Sequence, residues 1–186
     1  MQHKIISSDD ASAVLARGGV IAYPTETVWG IGCDATNSEA VRRIFAIKRR
    51  AEAKALITLV SDVAMLERWV DDIPDVAYEL LEAAVEPLTV VYDSPRGLAP
   101  ELLAEDGSAG VRIVPLHLFR RWRKPLVSTS ANISGAPAPV SLEALSQEII
   151  DAVDAIVDPA DAPPAAGKPS AVIKISAGGL FKILRK

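Results

Sequence analysis

Short apolar runs and capped helical stretches alternate along this chain from one end to the other, and that alternation limits the fold more than any other feature. Lys4-Ile5-Ile6 reads as a short edge strand. Ser8-Asp9-Asp10 caps a helix through Arg17, and Gly18-Gly19 ends it. Val20-Ile21-Ala22-Tyr23, stopped by Pro24, reads as a buried strand, and residues 25–33 as loop and strand. Asn37 or Ser38 caps a helix to about Arg50. Strands follow at 56–60, 89–92, 110–114, 125–129, 155–157, 171–175 and 180–184, the last two joined by a Gly178-Gly179 turn. Between them lie helical stretches beginning at Asp62 and near Pro74, one over 118–123, and one from Ser141 to about Asp151. The interleaving predicts a three-layer α/β domain, and hairpin-like pairs at both ends predict a mixed sheet. At 186 residues a single domain spanning 1–186 is expected, and nothing between 94 and 110 is long enough to be a linker.

Composition narrows the class. With 49% apolar and 24% charged residues the chain can fill a core, which excludes global disorder. One cysteine cannot form an internal disulfide, and with two histidines it cannot form a four-ligand zinc site of the usual kind. No apolar run approaches the roughly 18–20 residues of a membrane helix, and Asp9-Asp10 comes too early for a signal-peptide core. A reduced, soluble, cytoplasmic protein is the expectation. The net charge of −4 argues against a general nucleic-acid coat, but the charge is unevenly placed. Three stretches, 42–54, 112–124 and 168–186, carry 16 of the 20 Lys and Arg residues and one of the 24 acids, Glu52. Solvated helix faces and a basic tail would explain any one of them. If the three converge, they form a positive cleft suited to a polyanion such as a nucleoside triphosphate.

Three motifs could carry chemistry. Tyr23-Pro24-Thr25-Glu26-Thr27-Val28-Trp29-Gly30-Ile31-Gly32 follows a strand end, where α/β folds place ligands, although an ordinary capped turn also fits. Lys48-Arg49-Arg50 with Lys54 offers forks and point charges for phosphate oxygens, or merely the basic end of a helix. Ser128-Thr129-Ser130-Ala131-Asn132-Ile133-Ser134-Gly135 follows an apolar strand and could form an anion-binding nest, or a serine-rich turn. It is neither a Walker loop nor a nucleophile elbow. His3 is terminal, His117 reads as a helix-surface residue and Cys33 as a small buried one. No Ser-His-Asp or Cys-His set is evident, so any chemistry must run on positioning and charge stabilisation, as phosphoryl and nucleotidyl transfers do.

With these motifs in order, the sequence resembles the YrdC-like family of threonylcarbamoyl-AMP synthases. Val111-Arg112, Pro169-Ser170 and Ile183-Leu184-Arg185 extend the resemblance to nearly the whole chain. It implies a twisted mixed sheet with a positively charged concave face. It also implies an enzyme, a nucleotidyltransferase, that joins L-threonine, bicarbonate and ATP, with Mg²⁺, into threonylcarbamoyl-AMP and pyrophosphate. A downstream threonylcarbamoyl transferase complex then modifies tRNA, and tRNA itself is a further suggested partner. Carried over position by position, threonine contacts fall on Thr27, Arg112, Ser128 and Ser170, with the backbone near Leu59. Nucleotide contacts fall on Arg50, Lys54, Ser108, Ser130 and Arg185, with Ala138 in the last loop position. Lys48, Arg50 and Lys54 are the catalytic candidates that would offset triphosphate charge, with Thr25 and Asn132 supporting.

The chain departs from the common family pattern at Val85-Glu86-Pro87, at Ile113-Val114-Pro115-Leu116, at Ala138 where a serine is common, and at Ala51 where a proline is common. It looks like the short bacterial form without the appended C-terminal domain. Two other readings remain. One is a non-catalytic module for tRNA or double-stranded RNA. The other is a paralogue acting on a different carbamoyl-adenylate. Phe45, Phe119, Trp122 and Phe181 are the aromatics within the basic stretches, which offers little base stacking and favours a small-molecule site.

Overall fold

The computed structural model describes residues 4–49, 56–93, 95–161, 169–176 and 178–185. Its elements run β1 (Ile5–Ile6), α1 (Ser8–Ala16), β2 (Ile21–Tyr23), β3 (Gly30–Gly32), α2 (Ser38–Lys48), β4 (Ile57–Val60), α3 (Val63–Trp69) and α4 (Asp75–Ala83). They continue with β5 (Leu88–Tyr92), β6 (Ala109–Ile113), β7 (Leu126–Ser130), α5 (Gln147–Ala152), β8 (Ala155–Val157), β9 (Ala171–Ile175) and β10 (Phe181–Arg185). Among the described residues the strands form one ten-stranded sheet in the order β1-β8-β2-β3-β7-β4-β6-β5-β9-β10. The pairs β1–β8, β2–β8, β4–β6 and β5–β9 are parallel. The pairs β2–β3, β3–β7, β4–β7, β5–β6 and β9–β10 are antiparallel, so the sheet is mixed as the sequence predicted.

Two apolar layers explain why the strands read as continuous hydrophobic runs. Ile21, Tyr23, Leu126, Ala155 and Val157 join one cluster, which α1, α3 and α4 cover with Leu15, Met65, Leu66 and Ala77. Their neighbours Ala22, Val127 and Ile156 join the other, covered from α2 and α5 by Val41, Ile44, Phe45, Ile149 and Ile150. Strand neighbours point to opposite faces, so central strands here are apolar at most positions. No helix among the described residues is long and apolar enough to cross a membrane.

Helix α2 carries its own start and stop. The Asn37 side chain accepts a hydrogen bond from the Ala40 N–H at 3.1 Å. At the other end Arg49 adopts a left-handed conformation, φ 51°, and closes the helix after Lys48. Asn37→Ala is therefore expected to cost about 1 kcal/mol and to lower the melting temperature by roughly 2–4 °C in a chain of this size, measured by thermal unfolding.

Two predicted helices come out differently. The stretch 118–123 is a single turn of 3-10 helix, His117–Arg120, rather than an α-helix. Arg120, Arg121, Arg123 and Lys124 crowd together with no acid three or four residues away, and Pro125 ends the segment. The helix expected from Ser141 starts at Gln147 instead, because Ser146 is the residue that caps it, accepting from the Ile149 N–H at 3.4 Å. Residues 141–145 form successive turns that drop Leu145 into the second apolar layer.

Candidate active site

The site forms where the Thr25–Thr27 turn, the end of β7, the middle of β6 and the start of β9 meet. The first of these is a strand-end turn locked by hydroxyls. Thr25 Oγ1 lies 2.9 Å from Thr27 Oγ1, donates to the Val28 carbonyl at 2.7 Å, and accepts from the Thr27 N–H at 3.1 Å. Both threonines are buried. Next along the chain, β3 is Gly-Ile-Gly because its partners come close. A Cβ at Gly32 would lie 2.1 Å from the Val127 carbonyl oxygen and 2.9 Å from the Tyr23 ring. That approach pairs Gly30 with Ser130 and carries the β7 hydroxyls to the mouth of the turn.

A cavity of about 440 Å³ lies over this junction. That is within the usual range for a small-molecule site, roughly 300–1,000 Å³. Thr25, Thr27, Arg112, Ser128, Ser130, Ala138, Ser170 and Arg185 are among the residues that line it. These residues come from positions as far apart as 25 and 185, and the fold brings them to one wall. Ser170 is held by a 2.8 Å hydrogen bond to Thr89, both side chains being buried. Arg185, on the edge strand β10, donates from Nε and Nη2 to the Ser170 carbonyl at 3.1 and 2.8 Å.

Arg112 is the buried cation of this cavity, 5% exposed. Its Nε lies 3.4 Å from Glu26 Oε1, an ion pair without a hydrogen bond. Arg112 Nε and Glu26 Oε2 are both buried with no hydrogen-bond partner. Tyr23 sits beside them, donating to the Val127 carbonyl at 3.3 Å. Burial pushes its phenol well above the ordinary range, so it stays protonated and is no candidate base.

Other predicted residues are placed differently. Lys48 is 2% exposed and is not part of the cavity lining. Its Nζ donates to the Ser130 carbonyl at 2.6 Å, the Asn132 carbonyl at 2.9 Å and Asn132 Oδ1 at 3.3 Å. Lys48 is thus a staple that fixes the β7 turn from behind, with Asn132 bound into the same staple. Asn132 also donates to the Ala136 carbonyl at 2.5 Å, which shapes the loop towards Ala138.

Ser108 lies outside the lining as well, four residues before Arg112. Its hydroxyl is committed to Asp106 at 2.6 Å, and Lys174 joins the same cluster. The Lys174 ammonium and the Ser108 hydroxyl hold the Asp106 carboxyl well below the usual range. Leu59 is fully buried, paired in register with Arg112 on β6, and supports rather than lines the cavity. Arg50 and Lys54 lie outside the described residues, as does His3. His117 is exposed and Cys33 buried, as expected, with burial pushing the thiol up.

Convergence of the three basic stretches is partial among the described residues. Arg112 and Arg185 reach the cavity. Arg42, Arg43 and Arg49 pair with Glu101, Asp154 and Glu148, and Arg121 and Lys124 with Asp9 and Asp34. Acids distant in sequence neutralise these cations in the fold, which counting charges along the chain could not show. Sequence reasoning left Glu26 without a role, although it stands between the two threonines of the first motif. The missing signal was the depth at which β6 buries Arg112.

Comparison with known proteins agrees with this fold. The Sua5/YciO/YrdC family model, described as "Telomere recombination", matches residues 13–186. A threonylcarbamoyl-AMP synthase of Xanthomonas campestris pv. campestris (strain B100) is 41% identical over 162 residues, 81% of this chain and 84% of the relative. A threonylcarbamoyl-AMP synthase of Stenotrophomonas maltophilia (strain K279a) is 39% identical over 163 residues, 83% of this chain and 87% of that one. Among solved structures, P. abyssi Sua5 complexed with L-threonine superposes with a TM-score of 0.82 at 27% identity, covering 92% of this chain and 54% of that one. This chain thus spans little more than half the length of that Sua5 chain. E. coli YciO shares the fold, with a TM-score of 0.82 at 21% identity over 96% of this chain and 88% of that one. With a family model covering nearly all of the chain and relatives about 40% identical over four-fifths of it, the chain belongs to the Sua5/YciO/YrdC family.

Proposed function

We propose that this chain is an L-threonylcarbamoyladenylate synthase, a nucleotidyltransferase that makes threonylcarbamoyl-AMP and pyrophosphate from L-threonine, bicarbonate and ATP for tRNA modification. The observation that carries the reading is the buried Arg112 guanidinium facing a hydroxyl-rich cavity in a chain whose relatives bear that activity's name. A guanidinium binds a carboxylate through two parallel charge-assisted hydrogen bonds. Arg112 is thus the anchor for threonine's carboxylate, with Thr27, Ser128 and Ser170 around it. Ser130, Ala138 and Arg185, which line the same cavity, are assigned to the nucleotide. At Ala138 the methyl group can supply shape but no hydrogen bond.

In the reaction, the amine of threonine attacks the carbon of bicarbonate, a C–N bond forms and water is lost, leaving a carbamate. A carbamate oxygen then attacks the α-phosphorus, and pyrophosphate leaves. Mg²⁺ arrives on the triphosphate as part of the substrate. Arg50 and Lys54 are proposed to offset the triphosphate charge, whereas Lys48 shapes the wall. The product passes to a threonylcarbamoyl transferase. The test is pyrophosphate release from ATP: it is expected only with threonine and bicarbonate together. Release without threonine would point to a different carbamoyl-adenylate, and no release alongside tight RNA binding would point to a non-catalytic module.

A further inference from the structure

The Glu26–Arg112 pair has a consequence beyond anchoring a carboxylate, and it rests on the threonine site proposed above. The Thr25–Thr27 hydroxyl lock fixes Glu26 at the apex of its turn. Its carboxylate lies 3.4 Å from the guanidinium Nε and is not part of the cavity lining. Glu26 therefore acts on a ligand through Arg112 rather than by contact. The local charge of the pair is zero, in a setting where Arg112 is 5% exposed and screening is weak. Arg185, the other described cation of the lining, is exposed and screened by solvent.

We propose that Glu26 is a specificity-determining residue that makes this cavity accept an α-amino acid and reject the matching α-hydroxy acid. A zwitterion adds no net charge to the neutral pair: its carboxylate meets Arg112 while its ammonium is favoured by the nearby negative charge. An ammonium-free carboxylate leaves the site with one net negative charge, and burial disfavours that uncompensated charge. Without Glu26 the guanidinium would be an unneutralised buried cation, attractive to any small anion. The locked turn and the long, unbonded contact suit this role, because Glu26 supplies charge and leaves the terminal donors of Arg112 for the ligand.

The experiment compares L-threonine with (2S,3R)-2,3-dihydroxybutanoate, which keeps the side chain and carboxylate but replaces the amine by a hydroxyl. Its inhibition constant against threonine is read in the pyrophosphate-release assay. In the unaltered protein it is expected to exceed the threonine KM by about 100-fold or more, and in Glu26→Gln the gap shrinks to about tenfold or less. Glu26→Asp, which keeps the charge, holds the original ratio to within about threefold. Equal affinities in the unaltered protein would overturn the inference without any variant. A Glu26→Gln protein that weakens both ligands alike would show a merely structural role, and overturn it as well. If threonine neither binds nor supports pyrophosphate release, the proposed function fails instead.

Discussion

Arg112→Lys raises the KM for threonine by about 100-fold and leaves the KM for ATP within about twofold. Lysine keeps the positive charge opposite Glu26, so the buried pair survives. What it loses is the planar fork that holds a carboxylate by two bonds. A charge-assisted hydrogen bond contributes about 1.5–3 kcal/mol, and every 1.4 kcal/mol is about tenfold in affinity. Alanine is the wrong substitution here, because removing one member of a buried pair strands the other at roughly 3–5 kcal/mol. Steady-state pyrophosphate release at varied threonine and varied ATP separates the two constants. Equal rises in both, or none in either, would remove Arg112 from the carboxylate subsite.

The second large effect is on stability. Lys48→Met keeps the length and apolar stem of the side chain but takes away the ammonium that holds the Ser130 and Asn132 carbonyls. Ser130 ends β7 and Asn132 follows in its turn, and the ammonium reaches both from the last residue of α2. Losing donors to two such groups is expected to cost about 3 kcal/mol, or roughly 6–12 °C in melting temperature for a protein of this size. The fall in kcat should follow from a loosened Ser130 wall, and saturating ATP should restore part of the melting temperature by mass action. Differential scanning calorimetry with and without nucleotide checks both statements. An unchanged melting temperature with abolished turnover would return Lys48 to a direct chemical role.

The elements were largely legible along the chain, and the exceptions have local causes. Asn37 and Asp62 each accept the capping bond that their residue type promises, whereas the first helix is capped by Ser7, one residue before the Ser8-Asp9-Asp10 cluster expected to cap it. Ser141 failed as a cap because Ser146 stands five residues on with a better first turn behind it. The 118–123 stretch holds three arginines and no acid at helical spacing, so its apolar residues formed a short 3-10 helix rather than an α-helix. In the site, the hydroxyl motifs at 25–27 and 128–130 and the lone Arg112 were visible as residue types, and the fold did bring them together. Ser108 and Lys48 were visible too, but their polar atoms are committed to Asp106 and to backbone carbonyls.

By itself, then, the order of residues determined a mixed, two-sided sheet, because capping residues and continuous apolar runs act over a few positions. It also determined which hydroxyls and cations could serve a ligand. Only the tertiary structure decided which of those cations reach the cavity and which are neutralised by Glu101, Asp154, Glu148 or Asp34. Burial and pairing depend on strands that meet across the sheet, β6 beside β4 and β7 beside β3. Residues separated by more than 80 positions, Glu26 and Arg112 among them, acquire their chemistry only when that register is set.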